Sequence, residues 1–166
     1  TLGECAADLD AFREVIDINL FGMVQTFQPF IAAMRVARRG QLVGIASVAG
    51  YRGLPGAAAY SASKAAAVSY LESLRVELRA SGIGVITICP GYIATPMTAQ
   101  NPYPMPFILS AEAAASSIAG IVRRGKTFAV IPWQMALIAR VLRVLPNWLY
   151  DRLFSHAPRK PRRPHA

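Results

Sequence analysis

The chain has 166 residues, the size of one domain. At 54% hydrophobic and 16% charged residues it is neither disordered nor collagen-like, and its two cysteines, Cys5 and Cys89, exclude a disulfide-stapled scaffold. Eighteen basic residues against nine acidic ones give a net charge of +9. The bases come as scattered pairs (Arg38-Arg39, Arg123-Arg124, Arg140 and Arg143) without interleaved aromatics or a finger or RNP motif. The charge therefore reads as a solvated surface and not as a nucleic-acid footprint. The first twenty residues start acidic, unlike a signal peptide, and no apolar run reaches a membrane span. A reduced, cytosolic setting is the expectation, with Cys89 as buried apolar filler.

Taken in order, Leu9 to Arg39 predicts one long helix, capped by Asp10, stopped by Gly40 and kinked near Thr26–Phe30 by Pro29. Gln41 to Ala46 is a short apolar run expected to form a doubly covered parallel strand. A Gly/Pro-punctuated loop over 47–56 follows, then an Ala/Leu-rich helix from Ala58 to Ala80. Gly84 to Cys89 is a second strand, and the proline-rich stretch Tyr92 to Phe107 a long loop. Ser110 caps a helix to Arg124; Lys126 to Ile131 is a third strand; Trp133 to Leu145 is an amphipathic helix, and Asn147 to Phe154 a short helical turn. The Pro/Arg-rich tail 157–166 cannot bury a core and is expected to be disordered. The alternation αβαβαβα predicts an α/β fold with a parallel sheet and right-handed crossovers.

Tyr60 and Lys64 stand four apart, on one helix face. An ammonium about 5 Å from a phenol favours the phenolate by roughly 3 kcal/mol at an effective dielectric near 20, which suits a phenol to proton exchange with an alcohol or carbonyl oxygen. About 0.1 such pairs are expected by chance from this composition, so the pair gains weight from its position after a Gly-rich loop. Ser47 lies at a carboxyl strand end, where open α/β sheets place ligands. Its hydroxyl can donate to a substrate carbonyl, or simply satisfy loop backbone groups. Asn19, inside the first helix, either holds a water, opens the helix locally, or sits on a solvated face. Both histidines, His156 and His165, are far C-terminal, which leaves a Ser-His-Asp hydrolase without a base and a metal site short of ligands.

Four motifs now resemble those of short-chain dehydrogenases/reductases: Tyr60-Ser-Ala-Ser-Lys64, Ser47 thirteen residues upstream, Asn19 with Gly22, and Pro90-Gly91-Tyr-Ile-Ala-Thr95. The resemblance covers residues from about 10 to 131. It implies an NAD(P)-dependent oxidoreductase, a carbonyl reductase or alcohol dehydrogenase of Rossmann-like doubly wound fold, with no metal. Tyr60 would be the general acid or base. Lys64 would support it and hold the nicotinamide ribose, Ser47 would orient the carbonyl, and Asn19 would bind a proton-relaying water. Tyr60, Lys64, Pro90, Gly91, Ile93 and Thr95 would meet the cofactor, NAD or NADP. The substrate would be a small carbonyl or alcohol and the whole enzyme a homodimer or homotetramer.

The family's Gly-x-x-x-Gly-x-Gly phosphate turn and Asn-Ala-Gly motif are absent from the sequence. Residues 1–156 are therefore expected to be the C-terminal portion of the domain, inactive alone, which also accounts for a chain that opens on Thr1. A non-catalytic dinucleotide-sensing or membrane-associated module is the alternative. Two further stretches invite a role. Tyr103, Met105 and Phe107 are expected either to line an apolar pocket or to lie on a proline-stiffened surface loop. The 133–145 helix, with Trp133, Leu137, Val141 and Val144 beside Arg140 and Arg143, packs on the sheet or a partner, lies on an anionic membrane, or caps the cleft.

Overall fold

The computed structural model describes residues 6–99, 101 and 103–156; Cys5 and the basic tail lie outside them. The elements are α1 (Ala6–Ile16), α2 (Gly22–Ala37), β1 (Gly40–Ile45), α3 (Ala58–Leu78), β2 (Ile83–Pro90), α4 (Pro96–Ala99), α5 (Ala111–Arg123), β3 (Phe128–Ile131), α6 (Trp133–Val144) and α7 (Asn147–Phe154). The strands form one parallel sheet in the order β1-β2-β3. Gly40 to Ile45 pair with Ile83 to Ile88, and Thr87 to Pro90 with Phe128 to Ile131.

The central strand explains the layers. Every residue from Val85 to Pro90 is buried, as a strand covered on both faces requires. Ile83 and Val85 join Leu42, Phe27 of α2, and Leu71, Leu74 and Leu78 of α3 on one face. Ile86 and Ile88 meet Ala114 and Ile121 of α5 on the other. Gly44 lets α3 come close, because a Cβ there would stand 2.3 Å from Leu71 Cδ1.

This layering corrects the expected crossovers. β1, β2 and β3 advance in one direction across the sheet, yet α3 and α5 cover opposite faces. The two crossovers are thus of opposite hand. The right-handed rule reflects a tight strand–helix–strand unit, whereas the long segment between Pro90 and Ala111 lets the chain reach the other face first. That segment is also not all loop: α4 gives it one helical turn.

The long N-terminal helix is interrupted, but not at Pro29. Asp17–Phe21 forms a π-turn, closed by the Gly22 N–H on the Asp17 carbonyl. Helix α2 continues through Pro29, where the carbonyl deprived of its partner belongs to exposed Gln25.

The C-terminal helices are tied to the loop after β1. Arg52 donates to the Leu142 carbonyl at 2.7 Å, to the Leu145 carbonyl, and to Asn147 Oδ1 at 2.8 Å. Its guanidinium also lies 4.0 Å from the Tyr150 ring centroid. Tyr150 Oη donates to the Gly53 carbonyl at 2.6 Å.

Candidate active site

Ser47 follows the end of β1 in extended backbone and caps a single 3-10 turn, Val48–Gly50, its Oγ accepting from Ala49 N–H at 3.1 Å. That turn rests directly on α3. A Cβ on Gly50 would lie 2.9 Å from the Lys64 carbonyl carbon and oxygen, so only glycine permits the approach. Tyr60 and Lys64 occupy the first two turns of α3. Lys64 Nζ donates to the Ile45 carbonyl at 3.1 Å and lies 5.7 Å from the Tyr60 ring centroid. Burial holds the Lys64 ammonium below the usual lysine range.

Asn19 projects from the π-turn and its Nδ2 donates to Ser63 Oγ at 3.2 Å. Ser63 Oγ in turn donates to the Tyr60 carbonyl at 2.8 Å. The asparagine that fits poorly in a regular helix thus sits where the helix is opened, and it is wired to the turn of α3 that carries Tyr60.

A cleft of 420 Å³ opens at the carboxyl ends of β1 and β2, and Ser47, Tyr60 and Gly91 line it together. Lys64 stands one turn behind Tyr60. Pro90 is buried at the end of β2, and Gly91 N–H donates to the Ile131 carbonyl at 2.7 Å. Ile93 and Thr95 do not line the cleft. Ile93 forms a bridge with Leu109, and Thr95 N–H donates to Thr98 Oγ1 at 2.9 Å.

Of the three loop residues expected at a pocket, Tyr103 lines the cleft, while Phe107 is exposed at φ 57° and Met105 Sδ accepts from Asn101 Nδ2 at 3.3 Å. Tyr92, Val15 and Asn101 also line it without having been singled out in the sequence. Tyr92 had a signal, directly after Pro90-Gly91. Asn101 had none, yet its Oδ1 is buried without a partner among the described residues. Burial raises the Tyr92 phenol above its usual range. Beneath the site Cys89 is fully buried, and burial pushes its thiol up to about 11, opposed in part by the Ser47 backbone N–H.

A family model described as short chain dehydrogenase matches residues 4–104. An uncharacterized oxidoreductase of Myxococcus xanthus is 43% identical over 139 residues, 84% of this chain and 55% of the relative. The structure of a short chain dehydrogenase from Burkholderia cenocepacia in complex with NADP matches at TM-score 0.78 and 27% identity, over 95% of this chain and 63% of that one. A 3-oxoacyl-(acyl-carrier protein) reductase from Brucella melitensis with bound NAD matches at TM-score 0.64 and 29% identity, over 78% and 53%. The chain spans about half the length of the curated relatives it matches. With its fold, its parallel sheet and most of its length matched in this way, the chain belongs to the short-chain dehydrogenase/reductase family.

Proposed function

We propose that the chain carries the proton-transfer half of an NAD(P)-dependent oxidoreductase acting on a carbonyl or alcohol. One observation bears most of the weight: Ser47 and Tyr60 line one cleft at the carboxyl ends of the strands, with Lys64 one turn behind the tyrosine. In reduction the Tyr60 phenol gives its proton to the substrate oxygen as charge develops there, and Ser47 Oγ donates to the same oxygen. Oxidation runs the same proton back to Tyr60. The nicotinamide, when bound, supplies or takes the hydride.

The residues present fit the nicotinamide end of that cofactor. Lys64 Nζ uses one of its three N–H groups on the Ile45 carbonyl among the described residues, which leaves donors for ribose hydroxyls. Asn19, through Ser63, positions the turn that carries Tyr60. Aromatic and aliphatic walls (Tyr92, Tyr103, Val15, Leu54) suit a carbonyl with an apolar substituent. No Gly-rich strand-to-helix turn suited to the pyrophosphate end stands in this sequence. The exposed Ile18, Phe21 and Val76 on the helices of one layer support a homo-oligomer for the whole enzyme.

The test is NAD(P)H-dependent reduction of a panel of ketones by the chain extended through its phosphate-binding half. Tyr60→Phe is expected to lower kcat by about 10²-fold or more. Undiminished turnover by Tyr60→Phe refutes the assignment.

A further inference from the structure

We propose that the outer face of α6 and α7 is a docking surface for an anionic phospholipid bilayer. The inner side of both helices is already used: Met135, Ala139 and Tyr150 are buried. On α6 the outer side is apolar as well and bare, and α7 leaves further large apolar side chains open. Trp133 is 71% exposed, Val144 79% and Trp148 69%, with Leu137, Val141 and Leu153 also open. At about 100° per residue, Trp133, Leu137, Val141 and Val144 fall within an arc of about 80°. Burying the inner side alone would have satisfied the core, so this second stripe needs another partner.

Charge identifies the partner. Residues 1–122 hold eight bases and eight acids, whereas 123–166 hold ten bases and one acid, Asp151. The whole excess of +9 therefore belongs to the segment that carries the stripe. Arg140 and Arg152 are exposed on the same two helices, Arg143 donates to the Tyr51 carbonyl at 2.9 Å, and Arg123, Arg124 and Lys126 are exposed at the end of α5 and before β3. A second copy seated face to face on this stripe would set those arginines against their own kind, with one acid per chain to offset them. An anionic headgroup layer meets both features at once, taking the apolar stripe into its interface and the guanidinium groups at its phosphates. The two exposed tryptophans, Trp133 on α6 and Trp148 on α7, are the side chains best suited to that boundary. No helix of the described residues is long and apolar enough to cross a bilayer.

The chain contains two tryptophans in all, and both are exposed on these two helices, so native fluorescence reads this region directly. The 166-residue chain is mixed with vesicles of phosphatidylcholine alone or with phosphatidylglycerol added. The expected result is a blue shift, quenching by lipids brominated in their acyl chains, and partitioning about tenfold or more stronger to the anionic vesicles. The exposed-site double variant Leu137→Gln/Val141→Gln is expected to fold normally by circular dichroism and to lose at least about tenfold in partitioning. An unchanged emission with anionic vesicles overturns the proposal. So does sedimentation in which the double variant binds as well as the parent, since the basic tail alone would then account for binding. A blue shift that follows protein concentration without lipid overturns it in favour of a second copy.

Discussion

Arg52→Ala is expected to loosen the C-terminal helices on the loop after β1, which Tyr150 on Gly53 and Arg143 on Tyr51 still hold. Leu142 and Leu145 lie in the last turn of α6 and just past it, where helix carbonyls lack intrahelical donors. Arg52 satisfies both, reaches Asn147 Oδ1 at the start of α7, and stacks on Tyr150. Hydrogen bonds from a charged donor contribute about 1.5–3 kcal/mol each when well enclosed. Two of these are half-buried and the one to Asn147 is exposed, so their sum is discounted, and the stacking adds about 0.5–1 kcal/mol. A loss of about 3 kcal/mol follows, which for a chain of this size lowers Tm by about 6–12 °C. Arg52→Lys keeps the charge but not the planar fork, and is expected to recover less than half of the loss. Amide exchange localises the effect: protection across 147–154 should fall before that of β2. An unaltered Tm together with unaltered protection across α7 would falsify the view that this one guanidinium fastens both helices.

Two further perturbations follow from single contacts. Gly50→Ala should destabilise the fold by about 1–3 kcal/mol and, in the extended enzyme, reduce activity, because the new methyl meets the Lys64 backbone; Gly53→Ala, whose Cβ meets nothing within 4 Å, is the control. Paired thermal melts of the two variants check this, and equal melts count against it. Burial pushes the Cys89 thiol up to about 11 from an ordinary value of 9.0. The folded state then binds more protons between those values, so stability falls by up to about 3 kcal/mol as pH rises through the window. Lys64, lowered by burial, acts in the opposite sense below 10.5. Urea melts at pH 8 and 10.5 should show the decline in the parent and a flatter profile in Cys89→Ala; parallel profiles refute the assignment.

How much of this was legible depended on sequence distance. The strands β1 and β2 are short apolar runs bounded by Gly and Pro, and each signal lies within the run itself. Tyr60 and Lys64 were legible because an i, i+4 pair needs only a helix to share a face. β3 starts later than expected because Gly125, at φ +61°, places Lys126 and Thr127 in the turn before it. The π-turn was only half legible. Asn19 marked a weak point in the helix, but its partner Ser63 is 44 residues away. Pro29 was the stronger local signal, and solvent at Gln25 removed its effect. The opposite crossover hands, the Arg52 anchor and the inclusion of Asn101 in the cleft all depend on where a long connection returns. No residue pattern within a single element encodes that.

The contacts that fix Ser47, Tyr60, Lys64 and Asn19 all lie within this chain: Gly50 against Lys64, Lys64 on the Ile45 carbonyl, Asn19 on Ser63. On the proposed assignment, the geometry for proton transfer needs no phosphate-binding turn, whereas dinucleotide affinity would, because helix N-terminal N–H groups of such a turn are what hold a pyrophosphate. These two requirements separate experimentally. The 166-residue chain should bind reduced nicotinamide mononucleotide and NADPH with affinities within about tenfold of each other, since the extra adenosine and phosphate meet no built site. It should also show no steady turnover. Fluorescence titration with both ligands is the measurement. NADPH binding far tighter than the mononucleotide, or turnover that Tyr60→Phe abolishes, would mean that the chain supplies its own phosphate site and would sink the division of labour argued from these contacts.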